Sequence, residues 1–156
     1  MEKVYYKSPI GVLEIICKEG VLVSLKLTDI FQPTSGNSNI TNNVIFQLEE
    51  YFLGRRKSFD IKIKPEGTEF QKRVWSELQK IHFGKTKSYA EIAAAIGDEN
   101  AQRAVGSACN KNPIMIIIPC HRVICKNGKS GGFAYGNCVK LKLLESENKN
   151  CTYGMI

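Results

Sequence analysis

The sequence predicts an α+β protein in two parts. Residues 1–66 read as a small sheet with one helix, and residues 67–156 as a mostly helical part with a helix-turn-helix and one short buried strand. Three observations predict it. Short apolar runs separated by turn residues fill the first thirty positions. Two capping boxes, Thr68-Glu69-Phe70-Gln71 and Ser88-Tyr89-Ala90-Glu91, open apolar-periodic segments in the second part. The third is Ile114 to Ile124, IMIIIPCHRVI, a β-branched run with prolines at 113 and 119 that is too short to span a membrane. It reads as a buried strand delivering Cys120 and His121 to its end.

Taken in order, Val4 to Tyr6, Ile10 to Cys17 and Val21 to Leu27 are short strands, with Pro9-Gly11 and Glu19-Gly20 as turns. They make an antiparallel meander. Thr28 to Asn43 is polar, aperiodic and rich in turn formers, hence a loop. Val44, Leu48, Tyr51 and Phe52 recur at helical spacing and stop at Gly54. Phe59, Ile61 and Ile63 alternate with polar residues as a half-buried strand, and Pro65-Glu66-Gly67 marks the boundary between the two parts. Beyond it Phe70, Val74, Leu78 and Ile81 form one helical stripe, widened by Trp75. A short Ala-rich helix from Ser88 stops at Gly97, and Asp98-Glu99-Asn100 offers a cap for a third helix, Ala101 to about Asn110. Lys126 to Gly136 holds four glycines with Phe133 and Tyr135 interleaved, a composition that lets backbone and aromatic rings approach a flat ligand. Val139 to Glu147 closes the chain as a helix.

Composition narrows the function classes. The termini and interior contain no secretory signal and no run of eighteen apolar residues, and the six cysteines, at 17, 109, 120, 125, 138 and 151, include no C-x-x-C pair. Reduced thiols in a cytoplasmic protein are expected. Charge is uneven: residues 1–66 hold 9 Lys+Arg against 8 Asp+Glu, and residues 67–156 hold 13 against 7, an excess of 6. The second part is therefore the candidate for meeting a polyanion, although a solubilising surface has the same signature.

Cys120 is the candidate nucleophile. His121 and Arg122 follow it directly and favour a thiolate, whereas the plainer account is a packed core cysteine. Val139, Leu143 and Glu147 share one helix face, and a carboxylate on an apolar stripe needs a buried partner, for which His121 is the candidate. The helix AQRAVGSAC carries small residues around one long cation, Arg103. That suits close approach to a minor groove with Arg103 filling the place of an extruded base, and it suits a tight helix–helix seam equally well.

Together these stretches, GTEFQKRVWSELQKI, GKTKSYAEIAAAIG, AQRAVGSACNKNPI and IIIPCHRVI, resemble the O6-alkylguanine-DNA alkyltransferases, the methylated-DNA–protein-cysteine methyltransferases. The resemblance covers Gly67 to Glu147; residues 1–66 are similar only loosely, in length and strand order, to that family's ribonuclease-H-like domain. It implies that Cys120 accepts the alkyl group irreversibly, that His121 is its base through a water, and that Glu147 orients His121. It implies that Tyr89 rotates the target nucleotide and helps protonate the leaving guanine, and that Asn112 is the hinge before the active-site strand. Arg103 replaces the flipped base, with Ala101, Gln102, Ala104, Gly106 and Ser107 beside it on the DNA. Met115, Val123, Phe133 and Ala134 line the base pocket. The partner implied is duplex DNA containing O6-alkylguanine, and O4-alkylthymine is a second lesion of the same kind. No cofactor, metal or membrane is implied, and the protein is expected to be a monomer.

The chain departs from the family pattern at four places. Phe133 stands where the family often has Tyr, Met115 where some relatives have proline, His82 where proline is common, and Gln102 where a smaller residue fits against DNA. These bear on substrate range and DNA affinity. Competing classes are a lesion sensor without chemistry, which Cys120 argues against, and a helix-turn-helix regulator, whose reader helix would be richer in long polar side chains. A zinc site on Cys120, His121 and Cys125 lacks a fourth ligand at the usual spacing.

Overall fold

The computed structural model describes residues 1–33, 37–125, 127 and 133–148. Strands β1 (Glu2–Ser8), β2 (Gly11–Lys18) and β3 (Val21–Thr28) form an antiparallel meander in that spatial order. In β2, Leu13, Ile15 and Cys17 are buried at every second position, so one face of the sheet meets the core. Helix α1 (Asn39–Phe52) packs on β1 and β2. It begins five residues before the expected Val44, because the Ser38 side chain caps it by accepting from the Thr41 backbone N–H. Ile40 continues the Val44–Leu48 stripe one turn earlier, among polar neighbours whose composition reads as loop.

The strand expected over Phe59 to Ile63 is replaced by a single bridge, Leu22 to Ile63, with Leu22 N–H donating to Lys62 C=O at 2.9 Å. Burial alternates there, but the segment meets β3 at that one position and forms no ladder.

In the second part, α2 (Glu69–Leu78) and α3 (Tyr89–Ala95) both open with complete capping boxes, as predicted, each with the cap and third residue bonded reciprocally. Helix α4 (Gln102–Asn110) corrects the expected cap: Ala101 occupies the N-cap and no side chain bonds the first turn. Asp98 instead accepts from the Asn100 N–H at 3.2 Å, closing the turn before the helix. Trp75 is core, its indole N–H donating to Ala108 C=O at 2.8 Å and so pinning α2 to α4. Helix α5 (Asn137–Asn148) closes the described chain.

The largest correction concerns Ile114 to Ile124. Nine of its eleven residues are buried, yet only its last two are strand. Ile114 makes one bridge to Leu25 of β3, Leu25 N–H donating to Pro113 C=O at 2.9 Å and Met115 N–H to Leu25 C=O at 3.0 Å. The chain then turns back on itself: Ile118 N–H donates to Ile114 C=O at 3.1 Å, and Ile116 takes φ 71°. A left-handed conformation is costly for a β-branched residue and persists only where surroundings enforce it. A 3-10 turn, Cys120–Arg122, follows, and only Val123–Ile124 (β5) is extended, pairing in parallel with Lys87–Ser88 (β4). The β-branched run thus records burial on all sides and leaves backbone shape undetermined. Among the described residues, no helix is long and apolar enough to cross a membrane.

Candidate active site

Cys120 sits at the start of the 3-10 turn, 4% exposed. Asn112 builds the turn that holds it: its Oδ1 accepts from Ile114 N–H at 3.0 Å and its Nδ2 donates to Ile118 C=O at 2.7 Å. The β4–β5 pair then sets Ser88, the cap of α3, beside Ile124, which brings Tyr89 to the same region.

Burial pushes the Cys120 thiol up to about 11, against a hydrogen bond from the Asn112 side chain and the charge of Lys140, which lower it. This corrects the expectation of a thiolate favoured by the next two residues. Their side chains pair with Glu147, and desolvation of the thiol wins. His121 Nε2 lies 2.6 Å from Glu147 Oε2, the pairing anticipated from the α5 face. Arg122 donates through Nε to Glu147 Oε1 at 2.8 Å and through Nη2 to Oε2 at 3.1 Å. Burial opposes charge on Glu147, but the His121 imidazole and the Arg122 guanidinium outweigh it and bring its pKa to about 2. Burial also lowers the pKa of His121, beyond what Glu147 restores, so the ring is neutral and Nε2–H faces the carboxylate. Among the described residues His121 Nδ1 is buried without a hydrogen-bond partner.

Helix α4 presents two faces. Val105, Ala108 and Cys109 face the core, while Gln102, Arg103, Ala104 and Ser107 are exposed and Gly106 is half-buried. Small residues therefore lie on the open face. Ala101 is the exception, buried at the N-cap, where its methyl group serves packing and leaves the open face to its neighbours. A Cβ on Gly106 would lie 3.8 Å from the Tyr89 ring, so Tyr89 packs beside this helix. Met115 and Val123 are fully buried, Phe133 is half-buried and Ala134 exposed; Gly128, Gly131 and Gly132 of the expected glycine-rich loop lie outside the described residues.

A family model described as "6-O-methylguanine DNA methyltransferase, DNA binding domain" matches residues 69–149, and the ribonuclease-like domain of the same family matches residues 1–65. The chain belongs to the 6-O-methylguanine DNA methyltransferase family. A methylated-DNA–protein-cysteine methyltransferase of Methanosarcina acetivorans is 58% identical over 101 residues, covering 65% of this chain and 65% of the relative. The chain thus spans just under two thirds of that relative's length in the match. One from Mycolicibacterium paratuberculosis is 42% identical over 148 residues, covering 92% of this chain and 90% of the relative. Among solved structures, Mycobacterium tuberculosis OGT in complex with DNA is similar at TM-score 0.90 and 39% identity, covering 97% of this chain and 96% of that one.

Two residues of this family member escaped the sequence reading. Tyr51 of α1 donates to Glu147 Oε2 at 2.5 Å across 96 residues, with no local signal to reveal it. Lys140 of α5 is fully buried, its Nζ donating to Val123 C=O at 2.6 Å and lying 5.7 Å from the Tyr89 ring centroid. A lysine one position after Val139 on a helix with a buried carboxylate was the available hint. Among the described residues no group of His, Cys, Asp and Glu could hold a metal.

Proposed function

We propose that this chain repairs alkylated DNA by moving the alkyl group of O6-alkylguanine, within a duplex, onto its own Cys120, once and irreversibly. The observation that carries this is a buried thiol followed by an imidazole whose Nε2 is held by a carboxylate and whose Nδ1 has no partner among the described residues. A thiol with its pKa near 11 is un-ionised at neutral pH, so it must lose its proton as it attacks. His121 takes that proton through a water, and Glu147 stabilises the imidazolium. The sulfur bonds the alkyl carbon, the carbon–oxygen bond breaks, and its electrons go to the guanine O6. Tyr89 gives the departing ring a proton, and the proton held by His121 is afterwards passed back to Tyr89 through water. Thiol and alkylguanine balance the step between them, and the thioether is not hydrolysed, so each chain acts once.

Arg103 fills the space of the everted nucleotide, with Gln102, Ala104, Gly106 and Ser107 against the minor groove. Asn112 is the hinge that fixes the thiol, and Met115, Val123, Phe133 and Ala134 form the base pocket; O4-alkylthymine is the second substrate this pocket would receive. We divide the chain at Glu66 and Gly67 into a scaffold and a transfer domain, a division supported by the two matched ranges. The five described cysteines are free thiols, which favours a reducing, cytoplasmic setting for a monomer.

The test is the intact mass of the protein after incubation with a duplex holding one O6-methylguanine, followed by peptide mapping. One methyl per chain on Cys120, absent in Cys120→Ser, is expected. Tight binding of the lesion duplex with no mass gain would make the protein a lesion sensor instead.

A further inference from the structure

We infer that Tyr51, from the helix of the N-terminal sheet, is a positioning residue for alkyl transfer: its phenol sets how tightly the His121–Glu147 pair holds a proton. The inference rests on His121 acting as the base for Cys120. Tyr51 is 1% exposed, and its ring packs on Phe52, Phe59 and Phe83 at centroid distances of 5.2, 5.5 and 6.2 Å. A phenylalanine would meet that packing demand. The hydroxyl does something else, donating to Glu147 Oε2 at 2.5 Å.

The same oxygen is the one that faces His121 Nε2 at 2.6 Å, and it also accepts from Arg122 Nη2 at 3.1 Å. Three donors therefore share one carboxylate oxygen. Each draws on the same negative charge, so each added donor weakens the hold of Oε2 on a protonated imidazole. Tyr51 is the only neutral hydroxyl of the three and the only one drawn from residues before Gly67. The charged groups acting on His121 come from two other elements, Arg122 on the 3-10 turn and Lys140 on α5, and both disfavour its protonation while Glu147 favours it. Tyr51 acts in the same direction as those cations without adding charge to the core. The N-terminal part is thereby more than a scaffold, since it contributes a group that tunes the base.

Histidine chemistry makes this measurable, because the chain has two histidines and the other, His82, is exposed and serves as an internal reference. The protein is labelled with 15N-histidine and compared with Tyr51→Phe and with 3-fluorotyrosine placed at position 51. In Tyr51→Phe the His121 Nε2 proton is expected to move downfield and the His121 titration midpoint to rise by about half to one pH unit, the worth of one neutral hydrogen bond. The fluorinated phenol is a stronger donor, so both quantities should move the opposite way. The acid limb of single-turnover transfer from an O6-methylguanine duplex should follow the midpoint in each protein. His121 resonances unchanged in both folded variants would overturn the inference and leave Tyr51 as packing. If Tyr51→Phe does not fold, the sign of the fluorotyrosine shift decides alone. Resonances that move while the acid limb stays fixed would overturn the role in transfer for a different reason, by removing His121 from the reaction.

Discussion

Replacing Glu147 with Gln keeps the shape of the side chain and removes the charge on which the centre depends. Its carboxyl is 1% exposed and titrates at about 2 in the fold against an ordinary 4.5. A depression of that size corresponds to about 3 kcal/mol of folding stability at neutral pH, at about 1.36 kcal/mol per unit. Breaking a buried ion pair costs about 3–5 kcal/mol by an independent route, because Arg122 is left charged and buried. The two agree. With a urea dependence of about 2 kcal/mol per molar for a chain of this size, the unfolding midpoint should fall by roughly 1.5–2 M. A depressed carboxylate stabilises the fold above its unfolded pKa and loses that contribution as pH falls through its folded value. The gap between the parent and Glu147→Gln should therefore be full above about 4.5 and close toward about 2. Equilibrium urea unfolding of both proteins across that range is the assay. A gap below about 1 kcal/mol at neutral pH, or one that does not narrow on acidification, would refute the assignment of Glu147 as a buried, paired carboxylate.

Other outcomes follow from the same geometry. Arg103→Ala should leave thermal stability within about 0.5 kcal/mol, since its side chain is exposed, while slowing transfer from a duplex more than transfer from a free alkylated base. Gly106→Ala has space for its methyl group and should stabilise α4 by up to about 1 kcal/mol, yet weaken duplex binding in a gel-shift titration. Gly67→Ala is the contrasting glycine: a Cβ there would come within 2.5 Å of the Trp75 ring, so a lower melting temperature is expected. Lys140→Met removes a cation that lowers the Cys120 pKa, and should move the thiol still higher in a pH titration of ultraviolet thiolate absorbance and slow transfer. As a raised thiol, Cys120 stabilises the fold below its unfolded pKa near 9 and loses this as pH rises toward about 11.

What could be read from sequence was local. The capping boxes at Thr68 and Ser88 need only four residues, and both are complete in the fold. Glu147 was found because helix periodicity placed it on an apolar face, which made a buried partner necessary. Ile114 to Ile124 was misread for a reason of principle: a β-branched run reports burial, and a tight turn held by Asn112 buries its residues as well as a strand does. The early start of α1 rested on one serine cap and on Ile40, a single apolar residue among polar ones. Tyr51 lay beyond reach because the same spacing that marks it as core says nothing of where its hydroxyl goes.

The distance along the chain between Tyr51 and Glu147 carries a consequence for how the protein is made. One carboxylate oxygen collects donors from α1, the 3-10 turn and the far end of α5, across as many as 96 residues. Contacts of such long range form late, after the loop entropy between them has been overcome. A chain still emerging from synthesis, or one that has lost its last helix, lacks the Glu147 carboxylate that holds His121 beside Cys120. On the proposed reading, reactivity is a property of the finished fold, and a single-use acceptor is kept from use until the elements around Glu147 are in place.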